Sequence, residues 1–353
     1  MFFFSEYRTE LDSYVTRYES LFKNELKGKT LCISGAAGLI GSYLVDLCMM
    51  ANERCCSGIR VWAWDKDAEL LKARFGSLDS ALLHAEQRNV NTDELPDVAA
   101  DYVIHAASNT SPLDYGSKPV DTIRTNTLGT DRMIELSLRC GARFLCCSSV
   151  EMYGLNQGDT DEFHEDYSGY VNANTVRAGY PTAKRLSEAL CNAYRSEHPT
   201  WEFCTARIGR IYGPTVIPGD AKAPSQFINN AVRGEDIVLK SAGTQQFSYG
   251  YVGDCAMAML FILLRGEAGE AYNIADPASA VSLRAFAETA AHSAGRKVVA
   301  GEFSAAERAG YSKVTKATMC MDKLLGLGWS AAYHLEEGVA RTVRCLKAIS
   351  PQQ

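Results

Sequence analysis

The chain lacks the features of several common protein classes. Its 353 residues contain no apolar run near the ~20 residues that a membrane-spanning helix needs. The first residues, Met1-Phe2-Phe3-Phe4-Ser5-Glu6, lack the basic region and the apolar core of a signal peptide. A basic excess is also missing, because the net charge is −6, which argues against a nucleic-acid partner. We therefore expect a cytoplasmic protein with neither a membrane nor a nucleic-acid partner.

Metal-ligand patterns are missing as well. The twelve cysteines include no C-x-x-C pair, and the six histidines show no ligand spacing. Without a secretion signal, a disulfide framework is not expected in a chain of this length. Cys32, Cys146, Cys147 and Cys204 stand in apolar, strand-like runs, where a thiol behaves as a small hydrophobe. The sequence predicts reduced, structural thiols and no metal site.

Residues 1–27 are acidic and aromatic, and their apolar positions recur near helical spacing. These positions are Leu11, Tyr14, Val15, Tyr18, Leu21 and Phe22. The pattern predicts an amphipathic N-terminal helical extension that packs against the main domain or against a partner subunit.

From residue 28 onward, short apolar strands alternate with helical segments. A helix is expected from about Pro119 to Cys140, and strands are expected at 30–34, 59–64, 102–108, 143–149, 203–208 and 271–274. A further strand and helix near 246–265 are expected to return to the same sheet. This alternation is typical of α/β proteins with a doubly wound parallel sheet, that is, a Rossmann fold.

A glycine-rich loop follows the first strand and precedes a helix. It reads Gly35-Ala36-Ala37-Gly38-Leu39-Ile40-Gly41. Glycines at such a turn let the backbone approach a pyrophosphate, which the helix N-terminus then faces. A glycine cluster alone is a weak signal, but the order strand, glycines and helix is a stronger one. The pattern predicts a dinucleotide site formed by Gly35, Ala37, Gly38, Leu39, Ile40 and Gly41.

The end of the second strand indicates which dinucleotide is bound. Asp65 stands where a carboxylate can accept both hydroxyls of an adenosine ribose and would repel a 2′-phosphate. This favours NAD over NADP. Lys66, which follows directly, is a further candidate contact of the cofactor and weakens that preference, and the alternative for Asp65 is a simple turn residue. Asn89 and Val90 stand where a turn that contacts the adenine is expected.

Tyr180 and Lys184 are one helical turn apart, so both side chains reach the same small volume. A phenol is a poor base at neutral pH, and a neighbouring ammonium favours its phenolate. The Ser149 hydroxyl can hold a substrate oxygen while that phenolate takes its proton. The spacing alone is equally typical of a half-buried ring beside a solvated amine. The glycine loop and Asp65 favour the catalytic interpretation.

Together these segments resemble the extended short-chain dehydrogenase/reductase superfamily, the nucleotide-sugar epimerases and dehydratases, over roughly residues 28–345. Further matching segments are His105-Ala106-Ala107, Asn126-Thr127-Leu128-Gly129-Thr130, Tyr251-Val252-Gly253-Asp254, Tyr272-Asn273-Ile274 and Leu327-Gly328-Trp329. The resemblance implies that Tyr180 and Lys184 also contact the cofactor, and that the cofactor site includes Ala106, Ala107, Ser108 and Asn126.

Within the superfamily the chain is most similar to UDP-glucuronate decarboxylases. His105–Pro112 looks like their H-L-A-S-P-A-S-P segment, and 149–154 is similar to T-S-E-V-Y-G. Arg177-Ala178-Gly179-Tyr180 is similar to their P-R-x-C-Y. The resemblance implies that Glu151 lies beside the sugar with Ser149, Tyr180 and Lys184, and that the substrate contacts are Asn109, Thr110, Ser111 and Arg177. The 4,6-dehydratases carry an Asp at the position of Val150, and its absence here counts against a standard 4,6-dehydratase.

Two positions depart from the family pattern. Arg210 stands where family members often carry an Asn that contacts the sugar nucleotide. Phe247 stands where decarboxylases carry an Arg that contacts the nucleotide phosphates or the sugar acid. Arg210 is therefore a further candidate substrate contact, because a guanidinium binds phosphate or carboxylate bidentately.

The resemblance implies an enzyme that oxidises a sugar at C4 with NAD and then uses the transient 4-keto sugar. A UDP-glucuronate decarboxylase is favoured; a nucleotide-sugar 4-epimerase or 4,6-dehydratase and a non-enzymatic NAD-binding regulatory protein are the alternatives. A UDP-sugar substrate and a homodimer are also implied. We assign 28–206 plus 240–276 to the NAD-binding domain, and 207–239 plus 277–345 to a smaller C-terminal α+β substrate lobe.

Overall fold

The computed structural model describes residues 4–78, 80–110, 112–302 and 314–349. Within these ranges the helices are α1 (Ser5–Arg17), α2 (Leu39–Cys55), α3 (Ala68–Phe75), α4 (Pro112–Ser117), α5 (Pro119–Cys140), α6 (Gly179–Glu197), α7 (Ala223–Arg233), α8 (Val252–Arg265), α9 (Leu283–Ser293), α10 (Asp322–Gly326) and α11 (Leu335–Ile349). The strands are β1 (Thr30–Ser34), β2 (Arg60–Asp65), β3 (Leu83–Gln87), β4 (Tyr102–His105), β5 (Arg143–Ser149), β6 (Phe203–Ile208), β7 (Arg210–Tyr212), β8 (Ile237–Leu239), β9 (Gln246–Tyr251), β10 (Ala271–Ile274), β11 (Ala280–Ser282), β12 (Val298–Ala300) and β13 (Lys316–Ala317).

The central sheet of the described chain has the order β3-β2-β1-β4-β5-β6-β10. Every neighbouring pair is parallel, so all seven strands end at the same edge. Helices α2, α5, α6 and α8 connect these strands, and β1 is buried along its whole length. The doubly wound fold predicted from the alternation of strands and helices is confirmed. In such sheets ligands bind at the carboxyl edge, where the strand order reverses between β1 and β4.

The strand expected near residue 246 does not return to the central sheet. β9 belongs to a second sheet, in which it pairs with β7, β11 and β13. Gly209 separates β6 from β7, and a Cβ there would lie 3.0 Å from the carbonyl oxygen of Ser248 and 3.1 Å from that of Ile274. This close approach lets the chain pass from one sheet to the next. The helix that follows, α8, does pack against β5 and β6, as expected.

The N-terminal extension packs on the main body of the same chain. Helix α1 lies against α2, and its buried side chains form hydrogen bonds across the contact. The Tyr7 hydroxyl donates to Asp46 (2.8 Å), while Glu10 accepts from Tyr43 (2.6 Å) and Tyr251 (2.5 Å). These bonds join the extension to the helix that follows the glycine loop and to β9.

All twelve cysteines are unpaired and most are buried, in agreement with the prediction of structural thiols. Burial raises the pKa of the Cys147 thiol to about 12, so that thiol stays protonated. None of the helices in the described ranges has the length and apolar character needed to cross a membrane.

Candidate active site

The glycine loop has no room for side chains at two of its positions. A Cβ on Gly41 would lie 2.3 Å from the carbonyl oxygen of Gly35, and Gly35 itself has a φ of +72°. A Cβ on Gly35 would lie 2.6 Å from the backbone of Ala107, at the end of β4. The loop is therefore held flat against the sheet edge by backbone contacts that only glycine permits.

The surroundings of this loop fit a dinucleotide. Helix α2 begins directly after Gly38, and no side chain caps its N-terminus, so its first N–H groups remain available for phosphate oxygens. Asp65 ends β2 beside the loop and accepts hydrogen bonds from the backbone N–H groups of Ala37 (3.2 Å) and Asp67 (3.1 Å). Burial raises the pKa of Asp65, whereas these two bonds lower it. The loop, the first turn of the helix and the carboxylate are the groups that would hold NAD.

Ser149, Tyr180 and Lys184 come together at the carboxyl edge of the sheet. Ser149 ends β5, and Tyr180 and Lys184 lie in the first turns of α6, which packs against that strand. Tyr180 and Lys184 are both buried, and the ammonium nitrogen lies 5.8 Å from the centroid of the phenol ring. That nitrogen donates a hydrogen bond to the carbonyl oxygen of Cys147 at 2.6 Å.

The surroundings of Tyr180 set its pKa. Burial and the negative charge of Glu151 raise it, to about 12, although the Ser149 hydroxyl and the positive charge of Arg177 lower it. Burial also lowers the pKa of Lys184. That Lys184 keeps the pKa of Tyr180 low stays a prediction.

Glu151 forms an ion pair with Arg177 beside Tyr180. The Nη2 atom of Arg177 lies 2.8 Å from Oε1 and 2.7 Å from Oε2 of the carboxylate. The backbone N–H of Glu151 donates to the Ser149 hydroxyl oxygen at 3.3 Å, which ties the carboxylate to the end of β5. Both charged side chains are about a quarter exposed, so the pair is open to a ligand.

Tyr115, which the sequence analysis does not select, completes this group. It lies in α4, and its ring is stacked on the ring of Tyr180 with centroids 4.8 Å apart. The guanidinium carbon of Arg177 lies 4.5 Å from the centroid of the Tyr115 ring. The only signal in the sequence is its position three residues after the segment His105–Pro112, which resembles the decarboxylases.

One cleft joins the glycine loop to Ser149, Tyr180 and Lys184. The predicted site residues that line it are Gly35, Gly38, Leu39, Ile40, Gly41, Ala106, Ser108, Thr110, Ser149, Glu151, Tyr180, Lys184 and Arg210. Tyr115, Ile217, Asp220, Lys222 and Ser225 also line this cleft and were not predicted. Because α7 and the segment before it face the loop, the cleft has one wall from each of the two predicted domains.

Several predicted residues lie elsewhere. Asn109, predicted to contact substrate, instead bonds to Lys66 (3.2 Å) and to Asp121 (2.8 Å), and Lys66 pairs with Asp121 at 2.9 Å. Asn126 is fully buried in α5. Ser111 is outside the described residues. The other predicted residues that do not line the cleft are Ala37, Asp65, Asn89, Val90, Ala107 and Arg177.

A larger cavity, of about 490 Å³, lies on the far side of β6 and contains none of the predicted site residues. Its arginine and its lysine are both already paired, because Arg207 holds Glu188 at 2.8 Å and Lys323 holds Glu270 at 2.6 Å. For comparison, the cleft beside the glycine loop offers about 250 Å³. We assign the site to the smaller space, because the chemically reactive groups converge there.

One group of metal-ligand side chains does come together in the described chain. The ligand atoms of Glu162, His164 and Cys320 lie within 4.8 Å of one another. Because Cys320 is remote in sequence, a search for ligand spacing could not find the group. Glu162 and His164 are exposed, and the absence of a metal site stays a prediction.

Comparisons with known proteins agree with this geometry. The model of the NAD dependent epimerase/dehydratase family matches residues 31–275. The chain is 30% identical over 334 residues to UDP-glucuronic acid decarboxylase 1 of Xenopus tropicalis, which covers 94% of this chain and 75% of that protein. It is 35% identical over 247 residues to UDP-glucuronic acid decarboxylase 3 of Arabidopsis thaliana, which covers 70% and 69%.

A structure of UDP-glucose 4-epimerase from Thermotoga maritima, solved with UDP-glucose, has a TM-score of 0.75 to this chain. The two are 21% identical, and the match covers 91% of this chain and 99% of that one, which shows a shared fold. The predicted superfamily and the predicted likeness to decarboxylases are confirmed by these matches. The chain belongs to the NAD dependent epimerase/dehydratase family.

Proposed function

We propose that this chain is an NAD-dependent enzyme that decarboxylates a UDP-linked uronic acid through a 4-keto sugar. The observation that carries the proposal is the convergence of Ser149, Glu151 and Tyr180 in one cleft with the glycine loop, where Arg177 pairs with Glu151 from outside the lining. The similarity to UDP-glucuronic acid decarboxylases over most of the chain supports the same reaction. The cofactor site would be formed by the glycine loop, the N-terminus of α2 and Asp65.

In the first step, Tyr180 takes the proton of the sugar C4 hydroxyl while Ser149 donates a hydrogen bond to the same oxygen. NAD supplies the acceptor for the C4 hydride and later the donor that returns it. Lys184 lies one turn from Tyr180 and is fixed by the carbonyl of Cys147, so it holds the first turns of α6 against β5. The base strength of Tyr180 depends on how far Arg177 offsets Glu151.

Oxidation at C4 turns a uronic acid into a β-keto acid, which is prone to lose carbon dioxide. The bond between C5 and the carboxyl carbon breaks, and its electron pair moves toward the C4 oxygen to form an enolate. Ser149 and the protonated Tyr180 donate hydrogen bonds to that oxygen. A proton from water then adds at C5, and Tyr180 returns its proton to the C4 oxygen when the ketone is reduced. Arg177 contacts both oxygens of Glu151 and so fixes the position of this carboxylate. We therefore assign Glu151 the role of orienting the sugar ring.

The segment predicted to form the substrate lobe contributes Arg210, Ile217, Asp220, Lys222 and Ser225 to the cleft. We infer that the UDP part of the substrate lies along this wall, opposite the glycine loop. A homodimer and a cytoplasmic location are further predictions from the family resemblance.

Mass spectrometry of the products from UDP-glucuronic acid, UDP-glucose and dTDP-glucose, each with NAD, tests the proposal. We expect loss of carbon dioxide from UDP-glucuronic acid and no change in the other two. The Tyr180→Phe variant is the matched control, since it keeps the buried ring. It should lose turnover by about 10²- to 10⁴-fold and retain NAD binding.

Other products would contradict the proposal in distinct ways. Loss of water would indicate a dehydratase, and unchanged mass with an altered sugar would indicate an epimerase. Stoichiometric consumption of the cofactor would indicate a simple reductase. No conversion of any nucleotide sugar, with NAD bound, would favour a regulatory NAD-binding protein.

A further inference from the structure

The charged side chains that line the cleft differ in whether they form hydrogen bonds or ion pairs with other protein groups. Glu151 pairs with Arg177, and Lys184 donates to the carbonyl of Cys147. Asp220 accepts from Ser225 at 2.8 Å and pairs with Lys222 at 3.3 Å. Among the described residues of the lining, Arg210 is the charged group with neither a hydrogen bond nor an ion pair.

The guanidinium of Arg210 is nevertheless held in place. Its central carbon lies 3.6 Å from the centroid of the Phe247 ring, and Phe247 is buried. Such a stack holds the guanidinium over the ring and leaves its N–H groups free to donate. It also places a positive charge directly over the side chain at position 247, where the resembling decarboxylases carry an arginine.

A second unsatisfied group lies beside Arg210. Tyr249 is the direct partner of Arg210 in the β7–β9 pairing, and its hydroxyl is fully buried without a hydrogen-bond partner in the described chain. The Nε–H of Arg210 is buried without an acceptor as well. Tyr249 does not line the cleft, but Arg210 does. Buried polar groups without partners cost free energy, so a ligand in the cleft that supplies an acceptor to Arg210 would be bound favourably.

Arg210 is also close to the catalytic rings. Burial raises the pKa of Tyr115, and the charge of Arg210 is among the groups that lower it. Tyr115 in turn is stacked on Tyr180. A ligand that reaches Tyr180 therefore passes within the field of the Arg210 guanidinium, with which no carboxylate of the described residues forms an ion pair.

We infer that Arg210 is a specificity-determining residue that binds an oxyanion of the nucleotide-sugar substrate. A guanidinium matches the planar carboxylate of a uronic sugar, and it also matches the oxygens of a diphosphate. The inference rests on the proposed function for the identity of the ligand. In this arrangement Arg210 supplies the positive charge, and the Phe247 ring holds its guanidinium in place.

The test is calorimetric titration of UDP, UDP-glucose and UDP-glucuronic acid into the full-length protein with NADH, which cannot accept the C4 hydride and so allows no turnover, at one fixed ionic strength. The variants are Arg210→Gln, Arg210→Lys and, as a matched control, Arg60→Gln, which removes an exposed charge. Arg210→Gln should weaken binding of UDP-glucuronic acid by about 10- to 100-fold. Arg210→Lys should recover part of that loss, and Arg60→Gln should match the wild type.

The three ligands separate the two sources of the oxyanion. A loss confined to UDP-glucuronic acid assigns the sugar carboxylate to Arg210, and an equal loss for all three assigns the diphosphate. Unchanged affinity of Arg210→Gln for all three ligands overturns the inference. Phe247→Leu, which keeps the charge and removes the stack, should show a smaller loss of a few fold; no loss would contradict the role given to Phe247.

These measurements need no turnover, so they separate the inference from the proposed function. A wild-type protein that binds UDP-glucuronic acid through Arg210 without releasing carbon dioxide would overturn the proposed function alone. A protein that releases carbon dioxide and binds equally well without Arg210 would overturn this inference alone.

Discussion

Tyr115 and Tyr180 are stacked in the cleft, with ring centroids 4.8 Å apart and an angle of 24° between the ring planes. They belong to different helices, α4 and α6, and neither ring is exposed. Arg177 lies on Tyr115, and the Tyr115 hydroxyl donates to the carbonyl oxygen of Thr110 at 3.2 Å. The stack therefore fixes the plane of the phenol that is proposed to act as base.

Replacement of Tyr115 tests this positioning role. Tyr115→Phe keeps the stack and loses the hydroxyl, so we expect kcat to fall by only a few fold. Tyr115→Ala removes the ring, and a base that is free to tilt should lower kcat by about 10- to 100-fold. Steady-state kinetics of both variants, with NAD affinity measured in parallel, would check this. Equal losses in the two variants would contradict a role for the stack.

Glu151 and Arg177 should shift the pH profile in opposite directions. Burial and the charge of Glu151 raise the pKa of Tyr180, whereas the charge of Arg177 lowers it. The rate should therefore rise with pH as more phenolate forms. Glu151→Gln should move this rise of kcat/KM to lower pH, and Arg177→Gln should move it to higher pH. Shifts of the same sign in both variants would show that another group titrates.

A methyl group at Gly41 should damage the cofactor site. The Cβ would lie 2.3 Å from the carbonyl oxygen of Gly35 and 2.8 Å from the Cα of Ala36, and neither backbone atom can move freely. We expect Gly41→Ala to lower NAD affinity by at least about 10-fold, because overpacking typically costs ~1–3 kcal/mol. Titration with NAD measures this. Gly326→Ala, where a Cβ meets nothing within 4 Å, is the control and should bind NAD normally.

Asp46 should make the protein less stable as the pH rises toward neutrality. Burial raises its pKa from 3.8 to about 7, although the Tyr7 hydroxyl donates to it. The folded state therefore holds a proton that the unfolded state loses above about pH 4. The free energy of unfolding from this group falls between about pH 4 and pH 7, by at most ~4 kcal/mol.

Asp46→Asn should remove this part of the pH dependence. Urea unfolding gives the free energy of unfolding of wild type and variant at several values between about pH 4.5 and pH 8. The difference between the two proteins at each pH reports on Asp46, because Glu10 and Asp254 are present in both. The free energy of unfolding of the variant should increase relative to that of the wild type as the pH rises. A constant difference across the range would show that Asp46 does not titrate there. Tyr7 keeps an oxygen acceptor in this variant.

The cofactor half of the site could be predicted from local patterns. Gly35, Gly38 and Gly41 follow a strand and precede a helix, and the backbone geometry of such a turn is decided within a few residues. Tyr180 and Lys184 are likewise related by helical spacing alone. The family match then confirmed the NAD-dependent class that these patterns indicate.

The substrate half was predictable only in part. β9 was expected in the central sheet, but Gly209 lets the chain cross to a second sheet, and there Arg210 and Tyr249 are paired. Contacts of this kind depend on strand pairing between remote segments, which no local spacing encodes. The stack of Arg210 on Phe247 and that of Tyr115 on Tyr180 arise in the same way.

By itself the sequence determined the doubly wound sheet, the glycine loop and the identity of the Ser149, Tyr180 and Lys184 group, because each depends on periodicity or short-range geometry. Only the tertiary structure decided which groups surround them and so set their pKa values. Burial, Glu151 and Arg177 set the pKa of Tyr180, since desolvation and Coulomb forces depend on distances through space. The same distances leave Arg210 as the cation without a protein partner in the described lining of the cleft.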